Sequence, residues 1–243
     1  MKIINLLFAF GVSAVCRERK DVHTGPSAYL EAFKKLNADF NQKWQSILAK
    51  MTDENLTKDK ILPATRLFLY DVETALQEID PTVTIPHWIS TYEDPVFEET
   101  QFGVSNLHTD CIDSITLADF KRKNGTCLKR VYPITYGVRH SLLEGLKDMN
   151  VFSRAQHIVL GMMAKSTFQT EYINVAIEDP LFLCVMARMD GSWSTFLKNN
   201  GYHTKTNPTG ELSLNSNDKI MPWNLTVSEV VESNDASCVT YTF

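Results

Sequence analysis

The sequence has no excess of positive charge and no apolar run long enough to cross a membrane. Lysine and arginine total 24 against 29 aspartates and glutamates, which gives a net charge of −5 at pH 7. Proteins that bind nucleic acids or anionic membrane surfaces usually have clusters of basic residues, and this sequence has none. A membrane-spanning helix needs about 20 consecutive apolar residues, and no stretch reaches that length. Nucleic acid and membrane are therefore excluded as expected partners.

Histidine and cysteine are also scarce. The chain has 6 histidines and 5 cysteines, and none of the histidines lies between His23 and His87. A metal centre built from imidazoles needs several histidines close together. The long histidine-free stretch therefore cannot contribute imidazoles to such a centre.

The first residues have the pattern of a secretory signal peptide. A lysine at position 2 precedes the apolar stretch Ile3–Val12, and Val12-Ser13-Ala14 fits a small-residue cleavage site. We expect a signal peptide over residues 1–14 and one mature, secreted, extracellular domain over residues 15–243, with cleavage after Cys16 as the alternative. The chain also has sequons for N-linked glycosylation, which lie at Asn55, Asn124 and Asn224.

Two cysteines predict a disulfide bond. Cys111 and Cys127 close a short polar loop, and an oxidising compartment favours their pairing. Closing a loop of this size stabilises a protein by about 3 kcal/mol in the chain-entropy model. Cys184 either pairs with Cys238 or remains a buried thiol. Whether the mature chain keeps Cys16 depends on where the signal peptide is cleaved.

Apolar spacing predicts a helical chain. Three stripes of apolar residues recur at three- and four-residue steps, and prolines lie where helix starts are expected. Two long stretches rich in Asn, Thr, Asp and Ser separate these stripes and predict irregular structure. The helices are predicted from Tyr29 to near Lys50, from Pro63 to Asp80-Pro81, over Arg139–Met149 with its continuation Ser153–Met162, and from Asp179-Pro180 to near Asn199-Asn200-Gly201; the irregular stretches are Glu93–Tyr132 and Tyr202–Trp223.

Two segments resemble a known family. Ile61–Trp88 reads ILPATRLFLYDVETALQEIDPTVTIPHW and Glu178–Trp193 reads EDPLFLCVMARMDGSW. They resemble the two copper-binding segments of the tyrosinases, which are haemocyanin-like type 3 copper proteins. The resemblance implies a mainly α fold, with the four-helix-bundle core of the tyrosinase central domain, long irregular loops and few short strands. It also implies that Arg17–Arg19 pairs with a closing strand at Tyr241–Phe243, and that no C-terminal shielding domain is present.

Most of the residues that bind copper in this family are missing. The family holds its copper pair with neutral imidazoles, which suit copper in both oxidation states. We call the positions that the resemblance assigns to copper ligands the aligned positions, and only one of them is a histidine. A single imidazole cannot hold a copper pair, so no cofactor is expected. The aligned positions are occupied by Leu56, Thr65, Ser153, His157 and Val185, with Met186 beside the last.

The residues that frame the copper site in the family are mostly retained. They serve packing, capping and hydrogen bonding, and Gly191 is a departure because the family usually has an arginine there. A frame that keeps these residues without the ligands indicates a fold used for another purpose. The retained residues are Arg66, Phe68, Glu73, Asp80-Pro81, Ile85-Pro86, Trp88, Asp179-Pro180, Phe182, Asp190 and Trp193.

The remaining histidine, cysteine and methionine side chains could belong to a metal site of another kind. His157 is interpreted as a buried, hydrogen-bonded residue, with a site for a single metal ion as the alternative. Cys184 and nearby methionines suggest a copper(I) site, but methionine on a helical face more often fills a core. His87 is expected in the core or at its rim. The methionines are Met162, Met163, Met186 and Met189, and the histidines expected at the surface are His23, His108, His140 and His203.

Three hypotheses for function follow. The first is a secreted, non-catalytic protein with a structural, matrix or binding role, whose partner is an extracellular protein or matrix. The second is a copper-dependent phenol oxidase of the tyrosinase or catechol oxidase type, which would need copper and ligands that the sequence does not show. The third is a carrier that holds a small molecule in the pocket vacated by the metal.

Overall fold

The computed structural model describes residues 17–38, 41–57, 60–88, 94–131, 145–170, 172–200, 217–232 and 239–242. Most of the regular structure in these ranges is helical, as predicted. The helices are α1 (Ser27–Asn37), α2 (Gln42–Leu48), α3 (Ile61–Gln77), α4 (Met149–Ser166), α5 (Ile173–Ala176), α6 (Pro180–Asn199) and α7 (Val227–Glu232). The strands are β1 (Arg17–Arg19), β2 (Val104–Ser105), β3 (Ile112–Asp113), β4 (Lys219–Ile220), β5 (Leu225–Thr226) and β6 (Val239–Tyr241).

Helices α3 and α6 form the centre of the fold and have the predicted positions. Asp179 caps α6, because its carboxylate accepts a hydrogen bond from Leu181 N at 2.8 Å. Pro180 follows in the first turn, where its missing N–H costs nothing. Almost every residue of α6 is buried, and α3 is its main packing partner. Helix α4 packs against both, so the three helices enclose a common core.

The predicted first helix is in fact two helices. Helix α1 ends at Asn37, and Asn41 starts α2 by accepting a hydrogen bond from Trp44 N at 2.9 Å. Asparagine is a preferred N-cap because its side-chain oxygen accepts from a first-turn N–H that has no partner within the helix. The apolar stripe continues across the break, since the rings of Phe33 and Trp44 meet edge to face with their centroids 5.0 Å apart. Periodicity alone therefore predicted one helix, and that prediction was wrong.

Helix α4 also differs from the predicted pattern. The chain forms one continuous helix over Met149–Ser166, whereas two pieces, Arg139–Met149 and Ser153–Met162, were predicted. Residues 145–148 precede it without helical structure, and the Asp148 side chain accepts a hydrogen bond from Val151 N at 3.3 Å. The rest of the predicted first piece, together with Phe40 and most of Tyr202–Trp223, lies outside the described residues.

Strands β1 and β6 pair, as the resemblance implied, but the closing strand is Val239–Tyr241 instead of Tyr241–Phe243. Strands β1 and β6 are parallel, with Arg17 opposite Val239 and Arg19 opposite Tyr241. The other strands form two short antiparallel pairs, β2 with β3 and β4 with β5. The segment 94–131 is otherwise mostly irregular, in agreement with the prediction. No helix in the described ranges has both the length and the apolar character needed to span a bilayer.

The predicted disulfide is confirmed. Cys111 and Cys127 are bonded, with their Cα atoms 5.5 Å apart. Cys184 is a buried free thiol, which decides between the two alternatives left open for it. Cys16 and Cys238 lie outside the described residues.

Candidate functional site

A buried ionic cluster joins the central helices α3 and α6 to strands β1 and β6. Arg19 on β1 binds Glu73 of α3 through two hydrogen bonds of 2.7 and 2.9 Å, and Asp190 of α6 at 3.1 Å. Asp190 also accepts from Arg66 Nε at 2.8 Å and from the Tyr241 hydroxyl at 2.5 Å. We call Arg19, Arg66, Glu73, Asp190 and Tyr241 the ionic cluster. Three of its members were identified in sequence as frame residues.

The ionic cluster is balanced in charge and nearly closed to water. Burial alone would lower the pKa of the Arg19 guanidinium, but the facing Glu73 carboxylate and its neighbours hold that pKa well above the usual range. Burial raises the pKa of Tyr241, so this side chain stays a neutral donor to Asp190. Glu73 also accepts a hydrogen bond from Ile85 N at 3.0 Å. Buried charges are tolerated when paired and hydrogen-bonded in this way, so the cluster is structural.

Next to this cluster, α3 carries one of the aligned positions. Thr65 is buried, and its hydroxyl oxygen has no hydrogen-bond partner among the described residues. The next residue, Arg66, points into the ionic cluster, donates to Ser194 Oγ at 2.7 Å and lies over the Trp193 ring at 4.1 Å. Leu56, in the turn before α3, is also buried in the core. Neither aligned residue is suited to bind copper.

Helix α6 is apolar at the aligned position. Val185 and Met186 are almost fully buried, at 2% and 0% exposure, as predicted for side chains that pack instead of binding metal. The neighbouring Cys184 thiol donates to Pro180 O at 3.4 Å. Burial raises the pKa of Cys184 well above its ordinary value, and the nearby Asp179 carboxylate raises it further. Since the thiolate is the form that binds metals, this environment disfavours the copper(I) alternative.

Helix α4 presents one buried face to α6 and has its aligned positions towards the edge of that face. Gln156 is buried and donates to Met189 O at 2.9 Å, and Phe152 stacks on Phe196 with ring centroids 4.3 Å apart. Ser153 is buried on the same side. His157 is only half-buried because it lies about 100° around the helix from Gln156, and no described residue hydrogen-bonds its ring. The expected buried, hydrogen-bonded histidine is therefore not observed.

The other histidines lie in varied surroundings. His87 is buried, as expected, and its Nε2 lies 2.6 Å from Thr242 O. His108 is exposed. His23 is partly exposed but lies between two carboxylates, 2.5 Å from Asp21 and 2.6 Å from Asp94. His140 and His203 lie outside the described residues.

These positions do not fit a copper pair. The residues present offer one half-buried imidazole, two hydroxyls and two aliphatic side chains, whereas copper in both oxidation states prefers several imidazoles or thiolates. Within the described ranges, no three histidine, cysteine or acidic side chains are grouped so as to hold a metal ion.

Sequence reasoning missed a second buried ion pair that fixes the start of α6. Arg130 is fully buried and binds Asp179 through two hydrogen bonds of 2.6 Å each. It also donates to the carbonyl oxygens of Phe102 and Gly103. The irregular segment 94–131 is thereby fastened to the helix that carries Val185. The pairing joins residues 49 positions apart, and no local pattern in the sequence signals it.

Comparison with known proteins gives a structural match only. No protein-family model and no curated protein matches the chain. Among solved structures, a functional unit from octopus hemocyanin is similar, with a TM-score of 0.67 and 18% sequence identity. The match covers 93% of this chain and 68% of that one. At this identity the likeness shows the fold alone: the chain has a mainly helical, hemocyanin-like fold.

Proposed function

We propose that this chain is a secreted protein with the type 3 copper fold that has lost the copper pair and acts without catalysis, in a structural, matrix or binding role. The observation that carries the proposal is the donor set at the aligned positions. Val185 has no donor atom, and the buried Met186 offers only a thioether, which is a weak ligand for copper(II). Thr65 and Leu56 together offer one hydroxyl. The hemocyanin-like fold supports the comparison of positions on which this rests.

The frame residues around the former copper site keep their contacts. This supports a protein that has lost its activity but still has a function. Arg66 and Asp190 still bind each other at 2.8 Å, and Asp179 still caps α6. Buried charges are costly to keep unless each has its partners. A retained frame around positions that no longer carry the copper ligands is the arrangement expected of a fold kept for its shape and surface.

Secretion rests on separate grounds. The first residues fit a signal peptide, and the Cys111–Cys127 disulfide fits an oxidising compartment. The partner would then be an extracellular protein or matrix component. We expect the full chain, expressed in eukaryotic cells, to leave the cell with its first 14 residues removed.

Metal analysis and an oxidase assay test the loss of function directly. We expect the purified secreted protein, incubated with copper and dialysed, to retain no stoichiometric copper and not to oxidise catechol or L-DOPA. An active catechol oxidase treated in parallel serves as the positive control. A bound copper pair, or the absorption of a peroxide bridging two coppers, would contradict the proposal and favour the phenol oxidase hypothesis.

A carrier of a small molecule is the second candidate. Thr65 Oγ1 and Gln156 Oε1 are buried oxygens without hydrogen-bond partners among the described residues. An unpaired buried polar atom costs about 1–3 kcal/mol, and a bound polar molecule would recover part of that cost. Native mass spectrometry of the secreted protein should then show a bound molecule that denaturation releases. A mass equal to that of the chain and its covalent modifications alone would rule against a co-purifying ligand.

A further inference from the structure

One of the predicted glycosylation sequons is used inside the fold. Asn55 is 1% exposed. Its side-chain nitrogen donates two hydrogen bonds, to Lys50 O at 2.8 Å and to Met221 O at 2.5 Å. Both amide hydrogens are therefore engaged, and together they hold the turn before α3 against the C-terminal segment.

A glycan on Asn55 would be incompatible with these contacts. Glycosylation replaces one N–H of the amide with a bond to a sugar carbon, so one of the two carbonyl oxygens would lose its donor. The sugar is bulky and polar, and a side chain with 1% exposure leaves no space for it. A molecule glycosylated at Asn55 could not adopt this packing.

Asn124 lies in the opposite environment. It is exposed within the loop closed by Cys111 and Cys127. Its side-chain oxygen accepts hydrogen bonds from Thr126 N at 3.0 Å and Thr126 Oγ1 at 2.6 Å, across Gly125 in a left-handed conformation. Its amide nitrogen has no acceptor among the described residues. The nitrogen that would carry the sugar is thus available.

Asn224 is similar to Asn124 in accessibility. It is exposed in the turn between β4 and β5, with a left-handed φ of 55°. Its side-chain oxygen accepts from Lys219 Nζ at 2.9 Å, and its amide nitrogen has no acceptor among the described residues. A glycan here would extend from a surface turn without breaking any of these contacts.

We propose that the folded, secreted chain carries N-linked glycans on Asn124 and Asn224, and that Asn55 is an unmodified structural clip despite its intact sequon. This rests on the secretion proposed above. In the reaction, the amide nitrogen forms a bond to C1 of an oligosaccharide carried on a lipid diphosphate. The bond between C1 and the diphosphate oxygen breaks, and the lipid diphosphate leaves with the proton lost from the amide.

Site mapping of the secreted protein tests the assignment. The full chain would be expressed in eukaryotic cells twice, once with its own first 14 residues and once with a borrowed signal peptide in their place. Each product would be treated with peptide N-glycosidase, which leaves an aspartate where a glycan was attached. We expect two glycans, with the mass change confined to the peptides containing Asn124 and Asn224.

Variants make the test specific to each sequon. Thr126→Ala and Asn224→Gln should each remove one glycan. Thr57→Ala is the matched control, because it destroys the third sequon but leaves the Asn55 amide in place, and it should remove none. Asn55→Asp loses the donors while keeping the size, so it should lower the urea midpoint of unfolding clearly more than Thr57→Ala, which loses only the exposed hydrogen bond from the Thr57 hydroxyl to Glu54 O.

The possible outcomes separate this inference from secretion itself. A glycan on Asn55 in folded protein, or no glycan on Asn124 or Asn224 behind the borrowed signal peptide, overturns the assignment. If only the borrowed signal peptide gives secretion and two glycans result, the assignment stands and the proposed secretion fails.

Discussion

The ionic cluster and the aligned positions share helices α3 and α6 but differ in polarity and in how their polar atoms are partnered. In the ionic cluster every charge has a partner, and Asp190 alone accepts from two arginines and a tyrosine. At the aligned positions, the buried Leu56 and Val185 are aliphatic, and the buried Thr65 hydroxyl has no partner among the described residues. Thr65 and Arg66 are adjacent in sequence, so the boundary between the two regions falls between neighbouring side chains.

The difference shows which parts of this fold depend on a metal and which do not. A ligand set contributes to stability only when metal is bound, and apolar residues of suitable size can fill the same space. The ionic cluster cannot be altered so easily, because removing one member leaves the others charged and buried. The contrast predicts that removing a charge from the ionic cluster destabilises the fold, and that adding a charge at a buried aligned position also destabilises it.

The largest expected effect comes from placing a charge at an aligned position. Val185→Asp would bury a carboxylate at 2% exposure without a partner, and we expect a loss of about 5 kcal/mol in the free energy of unfolding. Val151→Asp is the matched control, because Val151 lies on α4 at 50% exposure. This substitution should lower the free energy of unfolding by less than about 1 kcal/mol. Urea unfolding measures both. A fully stable Val185→Asp protein would indicate an open, hydrated pocket and favour the carrier hypothesis.

Removing a charge from the ionic cluster should be nearly as damaging. Asp190→Ala leaves Arg19 without one of its two carboxylates and Arg66 without its only carboxylate partner in the described structure, and we expect a loss of about 3–5 kcal/mol. Asp119→Ala, at an exposed site, should change stability by less than about 0.5 kcal/mol. Equal effects of the two substitutions in urea unfolding would show that the cluster does not stabilise the fold.

The sequence predicted this contrast only in part. The cap and periodicity of α6 are local signals, and both held. The break between α1 and α2 was missed because the apolar stripe continues across it. Asp190 lies 171 positions after its partner Arg19, and Asp179 lies 49 positions after its partner Arg130. No local pattern in the sequence reveals pairs this far apart. Asn55 could not be distinguished from the other sequons, because one of the two hydrogen bonds that its amide donates is to the distant Met221 O.

A smaller effect of opposite sign is expected at Thr65. Thr65→Val replaces a buried hydroxyl that has no partner with a methyl group, and we expect stability to rise by about 1 kcal/mol. The same substitution at Thr84 would remove a 2.8 Å hydrogen bond to Glu18 O and should lower stability by about 1 kcal/mol. Thermal unfolding of the two variants compares them directly. If Thr65→Val were the more destabilising, an undetected partner such as a bound ligand would be indicated.

The smallest effect concerns His23, which lies outside both regions and titrates. Burial lowers the pKa of His23, but its hydrogen bonds to Asp94 and Asp21 outweigh burial and raise the pKa above 6.5. A raised pKa in the folded state means that the ion pairs stabilise the protein fully below about pH 6.5 and that this contribution disappears as the pH rises through the folded pKa. The side chain is 42% exposed, so water weakens the pairs and the effect should be modest. We therefore expect His23→Gln to lower the unfolding midpoint at pH 5.5 and to lower it less at pH 8.5. An equal drop in the unfolding midpoint at both pH values would mean that His23 stabilises the protein by packing and not by its charge.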